Sequence, residues 1–145
     1  MEIIAEIGQN HNGDLELACE LIKKAKICGA DVAKFQLYDA KKLFPKEGNE
    51  WYEYNCKTEL SFEDVEKLDR VCKEEEIEFM ASVFDTKRIS WLEDLNVKRY
   101  KIASRSIHEE HLINAVLETG KPVLISLGMW KQDSFPLYSG NISYL

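Results

Sequence analysis

Hydrophobic and polar positions change period several times along this chain. Short apolar runs alternate with longer stretches in which apolar residues recur every three or four positions. The first run, Ile3-Ile4-Ala5-Glu6-Ile7-Gly8, reads as a strand buried on both faces, and Gly8, Asn12 and Gly13 read as the loop after it. Asp14 then caps a helix whose apolar side is Leu15, Leu17, Ala18, Leu21, Ile22, Ala25 and Ile27, and Gly29 stops it. Residues 31–37 form the second strand. Residues 38–60 have no clear period and hold Pro45, Gly48, Trp51, Tyr52 and Tyr54. That is too long for a simple connection, so a functional or partly structured insertion is expected.

Ser61, with Glu63 and Asp64 behind it, opens the next helix through Val65, Leu68, Val71 and Cys72. Residues 78–84 are the third strand. Asp85 and Thr86 offer caps for a helix containing Ile89, Trp91, Leu92 and Leu95. Residues 99–104 are the fourth strand, followed by a helix from about 108 to 119 that Gly120 closes, with Pro122 beyond it. The fifth strand is 123–127, ending at Gly128. Residues 131–140 do not read as a full helix, and 141–145 read as the start of a sixth strand.

Strands alternating with helices at this spacing argue for a parallel sheet with right-handed crossovers. Two closures satisfy the pattern: an open doubly wound sheet, or a (β/α)8 barrel of the TIM type. A complete barrel needs about 250 residues. The chain therefore reads as the first five β/α units of a barrel plus the start of strand six, or as a complete open sheet.

Composition narrows the partners. A hydrophobic content of 45% over 145 residues is enough for one domain with a real core. The net charge of -7 argues against nucleic acid or an anionic membrane as partner. A local group of lysines can still oppose the global sign and hold a small anion. No apolar run approaches a membrane span, and no secretory signal is visible at the N-terminus. Cys19, Cys28, Cys56 and Cys72 include no CxxC pair, so reduced thiols in a cytoplasmic protein are expected.

The candidate chemistry lies in and just after the strands. Glu6 is a carboxylate inside an apolar run, where burial without a partner is costly. Asn10 and His11 follow it. The second strand carries Lys34 and Gln36, two apart and so on one face. The third carries Ser82 and then Asp85; the fourth carries Lys101 and Ser104, then Arg105 and Ser106; the fifth carries Ser126. Taken singly, each lysine reads as a strand-end residue reaching water and each serine as one that tolerates burial. Five strands with the same habit favour a site for a phosphorylated or carboxylated substrate at the strand C-termini, where barrels place their chemistry.

These residues carry a family resemblance. Ala5-Glu6-Ile7-Gly8 with Asn10-His11 and Gly13, Gly29-Ala30-Asp31 leading into Lys34-Phe35-Gln36, Tyr100-Lys101-Ile102-Ala103-Ser104, and Gly120-Lys121-Pro122-Val123 leading into Ser126 and Gly128-Met129 stand in one order and spacing. In them the chain resembles the N-terminal barrel of the sialic acid synthase family. The resemblance implies that residues 1–145 are the first part of a (β/α)8 barrel whose later half, with a small antifreeze-like domain, lies outside this chain. It implies a homodimer when full length, in which that small domain covers the partner's site. It also implies condensation of phosphoenolpyruvate with an N-acylmannosamine-type aldehyde to give a nonulosonic acid and phosphate. A divalent metal, manganese or magnesium, polarises the aldehyde in that family.

Carried over by position, Lys34 and Lys101 would hold the carboxylate and phosphate of phosphoenolpyruvate. Ser104 and Ser126 would add donors to the phosphate, Gln36 would contact the acceptor sugar, and Glu6 would lie by the reacting carbons to handle a proton or orient water. Asn10 and Ser82 join the substrate-binding set. Four positions depart from the family pattern. Arg105 and Ser106 stand where a small and then an acidic, sugar-binding residue is usual; Val83 replaces a frequent threonine; Trp130 follows Met129 where a small or polar residue is common. These leave the phosphoenolpyruvate side mostly intact and alter the acceptor side. The family's two metal-binding histidines come from later strands, so no metal ligand is assigned here. His11, His108 and His111 are not placed on the metal, and the last two read as surface residues. Two other functions fit the residues: a Schiff-base aldolase using Lys34 or Lys101, and a non-catalytic binding or assembly module.

Overall fold

The computed structural model describes residues 1–145, and the chain divides into two compact units, Met1–Ala81 and Ser82–Leu145. The first unit holds β1 (Ile4–Gly8), α1 (Leu15–Ile27), β2 (Val32–Leu37), two short helices α2 (Ala40–Leu43) and α3 (Tyr52–Lys57), α4 (Phe62–Glu74), and the start of β3 (Glu78–Val83). Its strand order is β1-β2-β3. β1 runs parallel to β2 with Glu6 opposite Lys34, and the register slips between Glu6 and Gly8.

The helices form where capping chemistry meets an apolar stripe. The Asp14 carboxylate accepts the N–H groups of Glu16 and Leu17 at 3.0 and 3.1 Å, satisfying donors that the first turn leaves open. Lys24 and Lys26 lie in the last turn of α1, where the helix dipole favours cations. α4 opens on a reciprocal capping box, Ser61 Oγ accepting from Asp64 N–H at 3.2 Å while the Asp64 carboxylate accepts from Ser61 N–H at 2.9 Å. α1 packs on α4, burying Ala18 and Ile22 on one side and Val65 and Leu68 on the other. Val32, Ala33, Phe35 and Leu37 are wholly buried, and the Phe35 ring stacks on Phe79 at 5.7 Å.

One expectation for this unit needs correction, and one holds. β1 is not buried on both faces: Ile4 and Ala5 are half-buried and Glu6 is exposed. The strand has a hydrogen-bonded neighbour on one side alone, β2, so water reaches its other side. The 38–60 insertion is partly structured, with α2 capped by the Asp39 carboxylate.

The second unit holds the end of β3, α5 (Thr86–Asp94), β4 (Tyr100–Ile102), a 3-10 turn (Ser104–Ser106), α6 (Glu110–Leu117), β5 (Val123–Ile125) and β6 (Ile142–Tyr144). Its strand order is β3-β4-β5-β6, all parallel, with Ser82 opposite Lys101, Lys101 opposite Leu124 and Leu124 opposite Ser143. Asp85 caps α5 through Arg88 N–H at 3.0 Å. α5 and α6 pack together over a core of Leu92, Ile102, Ile113, Val116 and Ile125.

The regular elements here are shorter than the apolar pattern suggests. β4 stops at Ile102, so Ser104 lies in a 3-10 turn and not in a strand; β5 stops at Ile125, leaving Ser126 just past its end; α6 starts at Glu110, leaving His108 before it. Residues 131–140 contain no helix, as expected. In both units the strands follow chain order with no reversal. An open doubly wound sheet reverses its order at a switch point, whereas a barrel adds strands in sequence, so the barrel reading is the one the topology supports. No helix is long and apolar enough to cross a membrane.

Candidate functional site

In the first unit the parallel register sets Glu6 beside Lys34, and their side chains form an ion pair. Lys34 is 7% exposed while the Glu6 side chain is 53% exposed, so the pair reaches from the sheet interior to water. Gly8 has φ +54°, and a Cβ built there would stand 3.2 Å from Glu6 Oε1 and 3.6 Å from Gln36 Nε2. A side chain there would crowd the Glu6 carboxylate and touch the Gln36 amide, so glycine at the end of β1 lets both groups pack close to the backbone. Asn10 is exposed in the turn that follows, its N–H bonded to Ile7 O at 2.9 Å.

His11 behaves differently from its neighbours in the opening motif. It is 1% exposed, its ring 6.4 Å from Phe35. Nδ1 accepts the Gly13 N–H at 3.2 Å, and Nε2 is buried without a partner. Burial holds its pKa below the ordinary 6.5, and the Asp64 carboxylate opposes this only in part. His11 is thus a neutral core residue that ties the opening loop.

In the second unit Lys101 is the centre. It is 5% exposed, and its ammonium donates to Ile102 O at 2.8 Å and to Ser126 Oγ at 2.5 Å. Ser82, 2% exposed, stands opposite it on β3. Ser104 Oγ is buried and has no partner, and a Cβ on Gly128 would lie 3.1 Å from it. An unpaired buried hydroxyl costs about 1–3 kcal/mol. Here it sits against a glycine, beside the stretch that supplies Ser126. A cation, hydroxyl donors and a residue without a side chain are the parts of an anion cradle.

The positions that depart from the family pattern also resolve. Ser106 is wholly buried, and its Oγ donates to Glu109 Oε1 at 3.0 Å ahead of α6, so it serves the local fold. Arg105 is exposed. Val83 is fully buried. Trp130 stacks on His108 with ring centroids 5.5 Å apart, and its indole N–H donates to Ser134 O at 2.6 Å. His108 and His111 are both exposed. Nowhere does the chain gather three or more His, Cys, Asp or Glu side chains in a group able to hold a metal, so the residues present do not fit the divalent ion that the resemblance implies.

One cluster went unread in the sequence. Gln9 Nε2 lies 2.5 Å from Tyr38 OH, 2.9 Å from Thr58 Oγ1 and 3.0 Å from Asn55 Oδ1. Its partners belong to the aperiodic 38–60 stretch, whose aromatic and amide content was the available signal.

Comparison with known proteins places the chain. The profile of the NeuB family matches residues 21–136. The N-acetylneuraminate-9-phosphate synthase of Homo sapiens is 35% identical over 144 residues, which is 91% of this chain and 40% of that protein. The N,N'-diacetyllegionaminic acid synthase of Legionella pneumophila is 40% identical over 140 residues, 88% of this chain and 39% of that protein. Among solved structures, the N-acetylneuraminic acid synthetase of Leptospira borgpetersenii, in complex with citrate, superposes with a TM-score of 0.85 at 32% identity, covering 89% of this chain and 45% of that one. The chain spans about two-fifths of the length of these curated relatives.

Proposed function

The chain belongs to the NeuB family, and from that premise we propose that it carries the phosphoenolpyruvate-binding part of a synthase that condenses phosphoenolpyruvate with an acylamino-sugar aldehyde. The observation that carries this reading is the cradle in the second unit: the Lys101 ammonium on Ser126 Oγ, the unpartnered Ser104 hydroxyl, and Gly128 against it. Its chemistry suits a phosphoryl group, whose oxygens accept from the ammonium and the two serine hydroxyls.

In the reaction, C3 of phosphoenolpyruvate uses its enol electrons to bond the aldehyde carbon, whose C=O π electrons move to the oxygen, which takes a proton to become a hydroxyl. The cationic C2 that results adds water, which loses a proton; the C2 hydroxyl then loses its proton as C2 becomes a ketone and the bond from C2 to the phosphate oxygen breaks, releasing phosphate. The roles assigned to this chain are binding and orientation. Lys101, Ser104, Ser126 and Ser82 serve the phosphate; Lys34 serves the carboxylate; Gln36 and Asn10 serve the sugar; Glu6, paired with Lys34, orients the water or moves its proton. This chain has no residues grouped to hold a metal. We therefore propose further that these 145 residues bind phosphoenolpyruvate without turning it over.

The alternative of a Schiff-base lysine finds less support. Attack on a carbonyl needs a neutral amine with a free lone pair. Lys34 is ion-paired, and Lys101 donates to two oxygens. The test is calorimetric titration of phosphoenolpyruvate into the chain and into Lys101→Ala, with borohydride treatment in the presence of a carbonyl substrate alongside. Binding that Lys101→Ala removes, with no covalent capture, is expected. Covalent capture at either lysine would replace this reading with the aldolase.

A further inference from the structure

A pocket of about 300 Å³ opens in the first unit between the turn after β1 and the insertion helices, lined by Gln9, Phe44, Asn49, Trp51, Tyr54 and Asn55. Its polar wall is built from the inside. The Gln9 amide nitrogen meets the oxygens of Tyr38, Thr58 and Asn55 at 2.5–3.0 Å, and these three residues are 1%, 0% and 6% exposed. Tyr38 OH in turn donates to Asn55 O at 3.1 Å, and Thr58 Oγ1 to Tyr54 O at 2.9 Å. This buried network holds the Gln9 amide in place, its nitrogen side toward the three oxygens. The same holds for Asn55, whose Oδ1 is one of the acceptors.

Each amide keeps one polar atom unused. Gln9 Oε1 and Asn55 Nδ2 make no hydrogen bond within the protein, and neither is among the polar atoms sealed from solvent. One presents an acceptor and the other a donor, and the Gln9 Nε2 to Asn55 Oδ1 bond ties the two amides together. That pair is the complement of a secondary amide, whose N–H donates and whose carbonyl accepts. The remaining lining is aromatic. The Trp51 and Tyr54 rings meet edge to face at 6.1 Å, and Trp51 is 61% exposed. Both are held in place: Trp51 N–H donates to Asn49 Oδ1 at 3.0 Å, and Tyr54 OH donates to Gln9 O at 3.0 Å and Asn12 Oδ1 at 3.1 Å. A network whose purpose was only to stitch the insertion to β1 would need neither a presented tryptophan nor two unused amide atoms. Rigid aromatic faces with a few fixed polar groups are the makeup of a small-molecule pocket.

We propose that this pocket binds the acylamino group of a sugar, its amide pairing with Gln9 Oε1 and Asn55 Nδ2 and its methyl and ring C–H groups lying against Trp51 and Tyr54. The assignment rests on the reading above that the enzyme accepts an acylamino-sugar aldehyde, and it names the part of unit one that recognises the amide.

The test is an NMR titration of the isotopically labelled 145-residue chain with N-acetylmannosamine, with mannose and, separately, with phosphoenolpyruvate. N-acetylmannosamine is expected to move the Trp51 indole signal and the Gln9 and Asn55 side-chain amides, and mannose at equal concentration to leave them in place. Trp51→Ala, a change at an exposed ring, and Asn55→Asp, which keeps the acceptor for Gln9 and deletes the donor, should each weaken N-acetylmannosamine binding at least tenfold. Equal shifts from mannose, or unchanged affinity in Trp51→Ala, would overturn the proposal. If phosphoenolpyruvate moves Ser126 and Gly128 while N-acetylmannosamine leaves the pocket unmoved, this inference falls and the function stands. If the sugar moves the pocket and phosphoenolpyruvate moves nothing, the function reading falls and the amide pocket stands.

Discussion

His11 shows how one residue's environment becomes a property of the fold. Its imidazole is buried against Phe35, with Nδ1 on the Gly13 N–H and Nε2 unpartnered. Burial lowers its folded pKa below 6.5. Above that value both folded and unfolded states are neutral, and its contribution to stability is complete. As pH falls, the unfolded chain takes up a proton that the native state refuses, so stability is lost on the way down through the folded pKa. Urea midpoints should therefore drop between pH 7.5 and pH 5, and His11→Gln should drop less over that interval; equal slopes would remove the role given to burial. At the other end of the chain's chemistry, Lys101 supplies a charge-assisted contact of about 1.5–3 kcal/mol. Lys101→Ala should weaken phosphoenolpyruvate about 10- to 100-fold by calorimetry while leaving N-acetylmannosamine affinity close to wild type.

At the scale of elements, the loop from β1 to α1 is held by close backbone approach as much as by capping. A Cβ on Gly13, φ +77°, would stand 2.4 Å from Lys57 O. Gly29, φ +88°, has nothing within 4 Å. Gly29→Ala should therefore cost only the left-handed penalty, about 1–2 kcal/mol, whereas Gly13→Ala adds a clash with backbone that cannot rotate away. Chemical denaturation should find Gly13→Ala the more damaging by at least about 1 kcal/mol. The Ser61 capping box carries a smaller effect: Ser61→Ala should remove about 1 kcal/mol and lower the melting midpoint by about 2–5 °C. Helix boundaries marked in this way, by Asp14, Ser61, Asp85, Gly29 and Gly120, were legible because caps and left-handed stops are local chemistry. Strand ends were less so. Apolar pattern alone ran the fourth strand to Ser104 and the fifth past Ser126, but β4 and β5 end at Ile102 and Ile125, and both serines lie just beyond them.

For the molecule as a whole, chain-order parallel strands in each unit and family membership agree on a barrel, of whose relatives this chain spans about two-fifths. Aldehyde polarisation by a metal is worth several kcal/mol of transition-state stabilisation, on the order of a thousandfold in rate. No residues here are grouped to hold one. Purified, mass-verified chain mixed with phosphoenolpyruvate, manganese and N-acetylmannosamine should release phosphate no faster than the protein-free mixture. Turnover near that of a full-length relative would show that residues of this chain assemble a metal site on binding substrate.

By itself the sequence determined the alternation of strands and helices, the caps between them, and the polar residues that gather at strand ends, because each depends on neighbours a few positions away. It also carried the family, through motifs that lie within single β/α turns. Tertiary structure decided what those residues face. Glu6 meets Lys34 because two parallel strands 28 residues apart in sequence come into register. Ser104 lies unpartnered against Gly128 because the chain after β5 passes beside the turn after β4. Gln9 reaches Tyr38, Asn55 and Thr58 because an aperiodic insertion folds back on β1. No periodicity reports such contacts, since they are set by where the folded backbone returns and not by the local pattern that formed each element.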